Sequence, residues 1–198
     1  VPIGTWVMEE SVRIYAGWKA KYHYPMILSL NISAIQYKQP DFVDKVLRIL
    51  KKYDISPEEI ELEITESILI DSFQEVTEKL AVLRNIGIKI SLDDFGTAYA
   101  SMEMLKWLPV DYIKVEHSFI RELAQPGHDI DYVIVDSLLE MCRRLGYDSI
   151  IEGVEDSKVA DIVGNLNATL LQGYHYSHPV CRKDFEKLLD KNVNTQTR

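Results

Sequence analysis

Two textures alternate along the chain. Short runs of β-branched and apolar residues predict strands: Met26 to Ser33 (MILSLNIS), Ile60 to Thr65 (IELEIT), Ile88 to Asp93 (IKISLD), Tyr112 to Val115 (YIKV), Ser149 to Val154 (SIIEGV) and Thr169 to Tyr174 (TLLQGY). Between them lie stretches with helical spacing. Phe42, Val43, Val46, Leu47 and Leu50 mark one apolar face, with Asp41, Lys45, Arg48 and Lys51 opposite. Val76, Leu80 and Leu83 mark a second, closed by Gly87, and Ile130 to Leu145 a third, closed by Gly146. A further helical stretch, Thr5 to Tyr22, precedes the first strand. Trp6, Trp18 and Trp107 fall within helical patterns and read as packing residues, as does Cys142.

Strand–helix alternation with nearly continuous apolar strands predicts a parallel sheet covered by helices. Six strands suit an open doubly wound sheet. They also suit an eight-stranded barrel lacking its first one or two strands. Periodicity does not choose between the two, but the polar residues at the strand ends bear on it. Asn31, Glu63, Asp93 with Asp94, Lys114, Glu152 and Gln172 each stand at or near the C-terminal end of one of the six runs. In a barrel those ends converge on one mouth, where such folds place their chemistry. Buried together, these charges need partners or a metal.

The chemistry of that set is specific. Carboxylates and an amide oxygen are hard ligands, suited to Mg²⁺ or Mn²⁺ rather than zinc. Adjacent carboxylates, as in Asp93 and Asp94, let one bridge two ions while the other holds the second. Two ions about 4 Å apart clamp the attacking and leaving oxygens of a phosphodiester displacement. Lys114 can neutralise developing charge or orient the attacking water. The reaction class these residues imply is metal-assisted hydrolysis of a phosphate ester.

Composition narrows the partners. The 198 residues suit one domain with a sizeable core, and a net charge of −9 argues against non-specific binding to duplex nucleic acid or to an anionic membrane. Cys142 and Cys181 form no C-x-x-C pair, so neither a zinc site nor a disulfide framework is suggested. No apolar run approaches the roughly twenty residues of a membrane span. The expected location is cytoplasmic, as a free protein or as the cytoplasmic part of a membrane-anchored one. The start at Val1, almost directly in a helix, suggests a cut through a longer polypeptide. One domain over residues 1–191 is expected, with a polar tail over 192–198 that frays.

Joint motifs now carry a resemblance. NIS (Asn31 to Ser33), ELEITES (Glu61 to Ser67), LDDFGTAY (Leu92 to Tyr99), LPVDYIKVE (Leu108 to Glu116), EGVE (Glu152 to Glu155) and QGYHYSHP (Gln172 to Pro179) resemble the EAL domain family, in that family's order and over nearly the whole chain. The resemblance implies a modified (β/α)8, TIM-like barrel that hydrolyses cyclic di-GMP to 5′-pGpG with two divalent ions, Mg²⁺ or Mn²⁺. It implies that Asn31, Glu63 and Asp93 hold one ion, and Asp93, Asp94 and Glu152 the other. Lys114, Glu152 and Asp94 then carry catalysis, with Lys114 on the nucleophilic water. Glu155 and Gln172 support the metal and phosphate shell, and Glu66 tethers the loop after Asp94. A homodimer and an upstream sensory or regulatory domain are implied as well.

Three departures bear on activity. The family's Glu-x-Leu segment, with one metal ligand, is absent from the chain, which accounts for the missing strands. Ala98 and Ala100 stand where glycine and serine are usual, and alanine forced to positive φ costs about 1 kcal/mol. Glu116 replaces the usual aspartate. A degenerate domain that binds cyclic di-GMP as a receptor, or only contacts proteins, is therefore the alternative. Among the other polar and aromatic residues, His23 and His117 have no ligand-spaced partner. Tyr176, between His175 and His178, is a candidate to stack on a base, whereas Tyr174 reads at least as readily as packing.

Overall fold

The structure, a computed structural model, describes residues 1–69, 73–96, 102–125, 127 and 129–196; of 102, 103 and 192–196 it describes the backbone alone. Strands β1 (Leu28–Ile32), β2 (Ile60–Thr65), β3 (Lys89–Phe95), β4 (Tyr112–Val115), β5 (Asp148–Ile151) and β6 (Leu170–Leu171) form one parallel sheet in chain order. Helices α1 (Pro2–Tyr22), α2 (Ala34–Tyr37), α3 (Phe42–Tyr53), α4 (Phe73–Asn85), α5 (Met102–Leu105), α6 (Asp129–Leu145), α7 (Ser157–Asn165) and α8 (Arg182–Gln196) precede, connect and follow the strands. The arrangement is the curled, open part of a TIM-like barrel. Among the described residues, β1 and β6 each pair on one side only.

The strands are less uniformly apolar than the sequence suggested. Side chains alternate across a strand, and here the alternation separates two chemistries. Leu30, Ile32, Leu62, Ile64, Ile90, Leu92, Ile113, Val115 and Ile151 are buried on the helix-covered face. The parallel register places the other parity side by side: Ser29 beside Glu61, Asn31 beside Glu63, Ser91 beside Tyr112, and Lys114 beside Ile150. That face is the barrel interior, and it is polar. Each fully buried aliphatic side chain on the outer face contributes about 1.5–3 kcal/mol. The helix-covered face therefore holds the sheet together and leaves the inner face free for chemistry.

Helix α1 buries Met8, Val12 and Tyr15, spaced one helical turn apart, and stops where His23 takes a left-handed conformation and returns its N–H to Lys19. Trp18 packs against Phe185 of α8, with ring centroids 4.8 Å apart, and donates to Glu186 at 3.0 Å. Trp6 and Trp107 do not pack as expected: they are 65% and 70% exposed. Trp6 shares the outward face of α1 with Ile3 and Val7, away from Met8 and Val12. Trp107 sits in the turn after α5, where the neighbouring Leu105 and Leu108 take the buried positions instead. Cys142 is buried, as expected of a core residue. Helix α8 runs on through Gln196, into the segment read from sequence as a tail.

A candidate two-cation site on the inner face of the sheet

Lys114 lies at the centre of the polar face, with its side chain only 3% exposed. Its Nζ donates to Glu63 Oε2 at 2.6 Å, and stands 3.1 Å from Asp93 Oδ1 and 2.8 Å from Glu152 Oε1. One strand apiece supplies these groups: β2 gives Glu63, β3 Asp93 and β4 Lys114, while Glu152 follows β5 directly. Burial works against the charge on Lys114, but hydrogen bonds to Glu152 and Glu63 and their charges outweigh it. The ammonium is held well above the ordinary lysine range.

Asp94 joins the group through a break in the strand. In a regular strand Asp93 and Asp94 would face opposite sides. Here the β3–β4 register shifts between Leu92 and Phe95, and Asp94 adopts a left-handed φ of 56°. A bulge of this kind re-aims side chains beside active sites, and non-glycine residues at positive φ are uncommon. The result is that Asp93, Asp94 and Glu152 each offer an oxygen within 4.8 Å of the others. The Asp94 N–H donates to Asp93 Oδ1 at 3.1 Å.

One ammonium thus faces four carboxylates, and negative charge is in excess. The carboxyls register it. Burial raises Glu152 above the ordinary range more than Lys114 lowers it, and the charges of Asp93 and Glu63 push the same way. Burial likewise raises Asp94, with the charges of Asp93 and Glu116 adding to it. Surplus hard oxygen donors converging on a few ångströms fit a divalent cation of the magnesium or manganese class.

The remaining residues singled out from sequence divide. Glu66, buried after β2, accepts the Gly96 N–H at 2.8 Å and so connects to the chain beyond Asp94. Asn31 lies beside Glu63 in register and is exposed. Gln172, Glu155 and Tyr176 are exposed on the loops beyond β5 and β6, and their side chains make no hydrogen bond to the carboxylate group among the described residues. Tyr176 meets His175 edge-on at 4.9 Å, and Tyr174, half-exposed, lies outside the core with its ring 4.3 Å from that of His178. Glu116 accepts from the Ser118 N–H at 2.9 Å, capping the 3-10 turn His117–Phe119. Ala98 and Ala100 lie outside the described residues.

Sequence reading missed two inner-face groups. Ser29 donates to Glu63, and Glu61, buried beneath Glu63, has its carboxyl raised by burial and by the charge of Glu63. Strict alternation through S-x-N and E-x-E was the signal for both.

The family model described as "EAL domain" matches residues 1–179. A curated relative, Cyclic di-GMP phosphodiesterase PA2567 of Pseudomonas aeruginosa, is 31% identical over 188 residues, which is 95% of this chain and 32% of the relative. The solved PaMucR phosphodiesterase in complex with c-di-GMP aligns with a TM-score of 0.86 at 32% identity, covering 93% of this chain and 74% of that one. The EAL domain of Mycobacterium smegmatis DcpA aligns with a TM-score of 0.89 at 30% identity, covering 95% and 84%. The chain spans roughly a quarter to a third of the length of the curated relatives it matches first, at 27%, 23% and 32%.

Proposed function

The chain belongs to the EAL domain family, and on that premise we propose that it carries the metal-binding and catalytic core of a phosphodiesterase that opens cyclic di-GMP to 5′-pGpG. One observation carries the reading: Lys114 sits among Glu63, Asp93 and Glu152, with Asp94 brought alongside by the bulge in β3. A surplus of carboxylates around a buried ammonium is costly unless a cation is its normal occupant.

Asn31, Glu63 and Asp93 would hold one Mg²⁺ or Mn²⁺, and Asp93, Asp94 and Glu152 the other. Divalent ions there supply charge neutralisation for the phosphodiester and lower the pKa of water. Hydrolysis adds a water to phosphorus and breaks one P–O bond to ribose. Lys114 Nζ is the donor that orients this water and meets charge developing on the phosphoryl oxygens. Asp94 and Glu152 flank it as acceptors. Glu66 fixes the loop after Asp94 through Gly96, Glu155 and Gln172 support the phosphate side, and Tyr176 offers a ring face to a base.

The test is direct. Protein carrying this chain at full domain length, given cyclic di-GMP with Mg²⁺ or Mn²⁺, forms 5′-pGpG by chromatography. Absence of turnover at every metal concentration overturns the enzymatic reading. Ala98 and Ala100, in the loop after Asp94, favour a second reading, a receptor. Calorimetry showing nucleotide binding without turnover would select it.

The same reading includes a homodimer, an upstream sensory or regulatory domain and a cytoplasmic setting, with the domain occupying residues 1–191. Among the described residues no helix is long and apolar enough to cross a membrane. The exposed Ile130, Val133 and Ile134, on one face of α6, support the dimer.

A further inference from the structure

We propose that the 3-10 turn His117–Phe119 is a clamp that sets the distance between the bulged end of β3, which carries Asp93 and Asp94, and the chain just after β5, which carries Glu152, with Phe119 and His117 as positioning residues. The inference rests on the cation-site reading above. It concerns side chains outside the carboxylate set.

The turn begins two residues beyond Val115, the last residue of β4, so it stands between the end of β3 and the chain just after β5. It plants one ring on each. A Cβ added at Gly96 would lie 2.7 Å from Phe119 Cζ and 3.0 Å from Phe119 Cε2. A Cβ added at Gly153 would lie 2.5 Å from His117 Cδ2 and 2.6 Å from His117 Cβ. Both glycines are at positive φ, 96° and 69°, so neither position accepts another residue without strain. Each ring therefore lies directly on backbone that only glycine leaves bare.

The two glycines occupy equivalent places in the site. Gly96 is two residues past Asp94 and gives its N–H to Glu66; Gly153 follows Glu152 directly. Phe119 lies against the Gly96 that makes this bond. His117 backs the peptide that carries Glu152, whose own N–H is held by Val115 O at 3.1 Å. The turn itself is braced. Glu116 accepts from the Ser118 N–H and hydroxyl, and the Ile120 N–H bonds His117 O at 3.0 Å. Ile120 is fully buried beneath it. Glu116, which departs from the family's usual aspartate, is thus employed in holding the clamp.

A rigid turn with one ring against Gly96 and the other against Gly153 fixes Asp93 and Asp94 relative to Glu152. Partners outside the ligand set that orient metal ligands typically govern about 10- to 100-fold in affinity. The test uses Mn²⁺ alone and two readouts on protein carrying this chain at full domain length. Phe119→Ala and His117→Ala should each weaken Mn²⁺ binding, read by electron paramagnetic resonance, by about 10-fold or more. Phe119→Leu, which keeps bulk over Gly96, should restore most of it. In the metal-free protein, Phe119→Ala should speed amide exchange at Gly96 while leaving the amides of α3 and α6 unchanged. Wild-type exchange at Gly96 together with wild-type Mn²⁺ affinity in both alanine variants overturns the clamp. Wild-type protein that binds no Mn²⁺, with exchange at Gly96 still accelerated in Phe119→Ala, overturns the cation reading and upholds the clamp as a brace of the loops.

Discussion

Gly96 gives its backbone N–H to Glu66 Oε1 at 2.8 Å, and this bond joins the end of β2 to the chain just beyond the two aspartates of β3. Glu66 is 3% exposed, so its acceptor oxygen is shielded from water. Gly96 is exposed, so its freed N–H can bond water, and the loss falls on the position of the chain after Asp94 rather than on global stability. Glu66→Ala is therefore expected to lose most turnover, and to lower Mn²⁺ affinity, without unfolding the protein. Glu66→Gln keeps an acceptor and should retain more of both. Equal losses in the two variants, measured by product formation and metal titration, would mean that charge rather than the Gly96 bond is what matters.

Lys114 and the carboxylates around it make opposite demands in the presence and absence of metal. Without an ion, the ammonium is what keeps Glu63, Asp93 and Glu152 together. Lys114→Met leaves those carboxylates uncompensated, and breaking one side of a buried pair costs about 3–5 kcal/mol. The variant should melt well below the wild type in chelator. A divalent ion replaces part of the missing charge, so Mn²⁺ should raise its melting temperature more than it raises that of the wild type. Activity should be lost in both conditions. A variant as stable as the wild type in chelator would show that the carboxylates do not depend on Lys114.

Much of this site could be read from the order of the residues, and what could not has a physical cause. The strand ends were marked by Asn31, Glu63, Asp93, Lys114 and Glu152 because a parallel sheet delivers equivalent positions to one rim. The bulge at Asp94 was invisible, since a left-handed aspartate has no compositional mark beyond a modest preference. The clamp was invisible for a different reason. His117 and Phe119 meet Gly153 and Gly96 only after three strands have paired, and nothing local in their spacing records it. Trp6 misled because helical spacing identifies a face but not which face is covered, and Trp107 because the helix ends before it.

The outward face of α6 gives the proposed dimer its test. Ile130, Val133 and Ile134 lie within one turn and are 76%, 60% and 39% exposed. The same helix carries Asp129 and Asp131 in its first turn and Arg143 and Arg144 in its last. Two such helices packed antiparallel would bury the apolar residues and set the acidic end of each against the basic end of the other. Ile130→Asp with Val133→Asp is expected to shift the protein to monomer in light scattering after gel filtration, with the melting temperature little changed. A dimer that survives the double substitution must use another surface.

Glu59 links the helix α1 to the approach to β2, and its charge should show in acid stability. Its carboxylate receives Lys19 Nζ at 2.6 Å and the Ser56 N–H at 3.0 Å, while the Tyr15 hydroxyl stands 3.2 Å away. Burial acts to raise its pKa, but these donors and the charge of Lys19 prevail and hold it below the ordinary glutamate range. A carboxyl lowered on folding stabilises the native state above its unfolded value, about 4.3, and loses that contribution as pH falls through the folded value. Lys19 is 44% exposed, so solvent screening limits the gain to about 1 kcal/mol. Glu59→Gln should therefore melt about 2–4 °C lower than the wild type at pH 7. The gap should close as the pH is taken below 4, because the wild type then loses what the glutamine variant never had. A gap that stays constant across that range would show that the hydrogen bonds, not the charge, hold α1 in place.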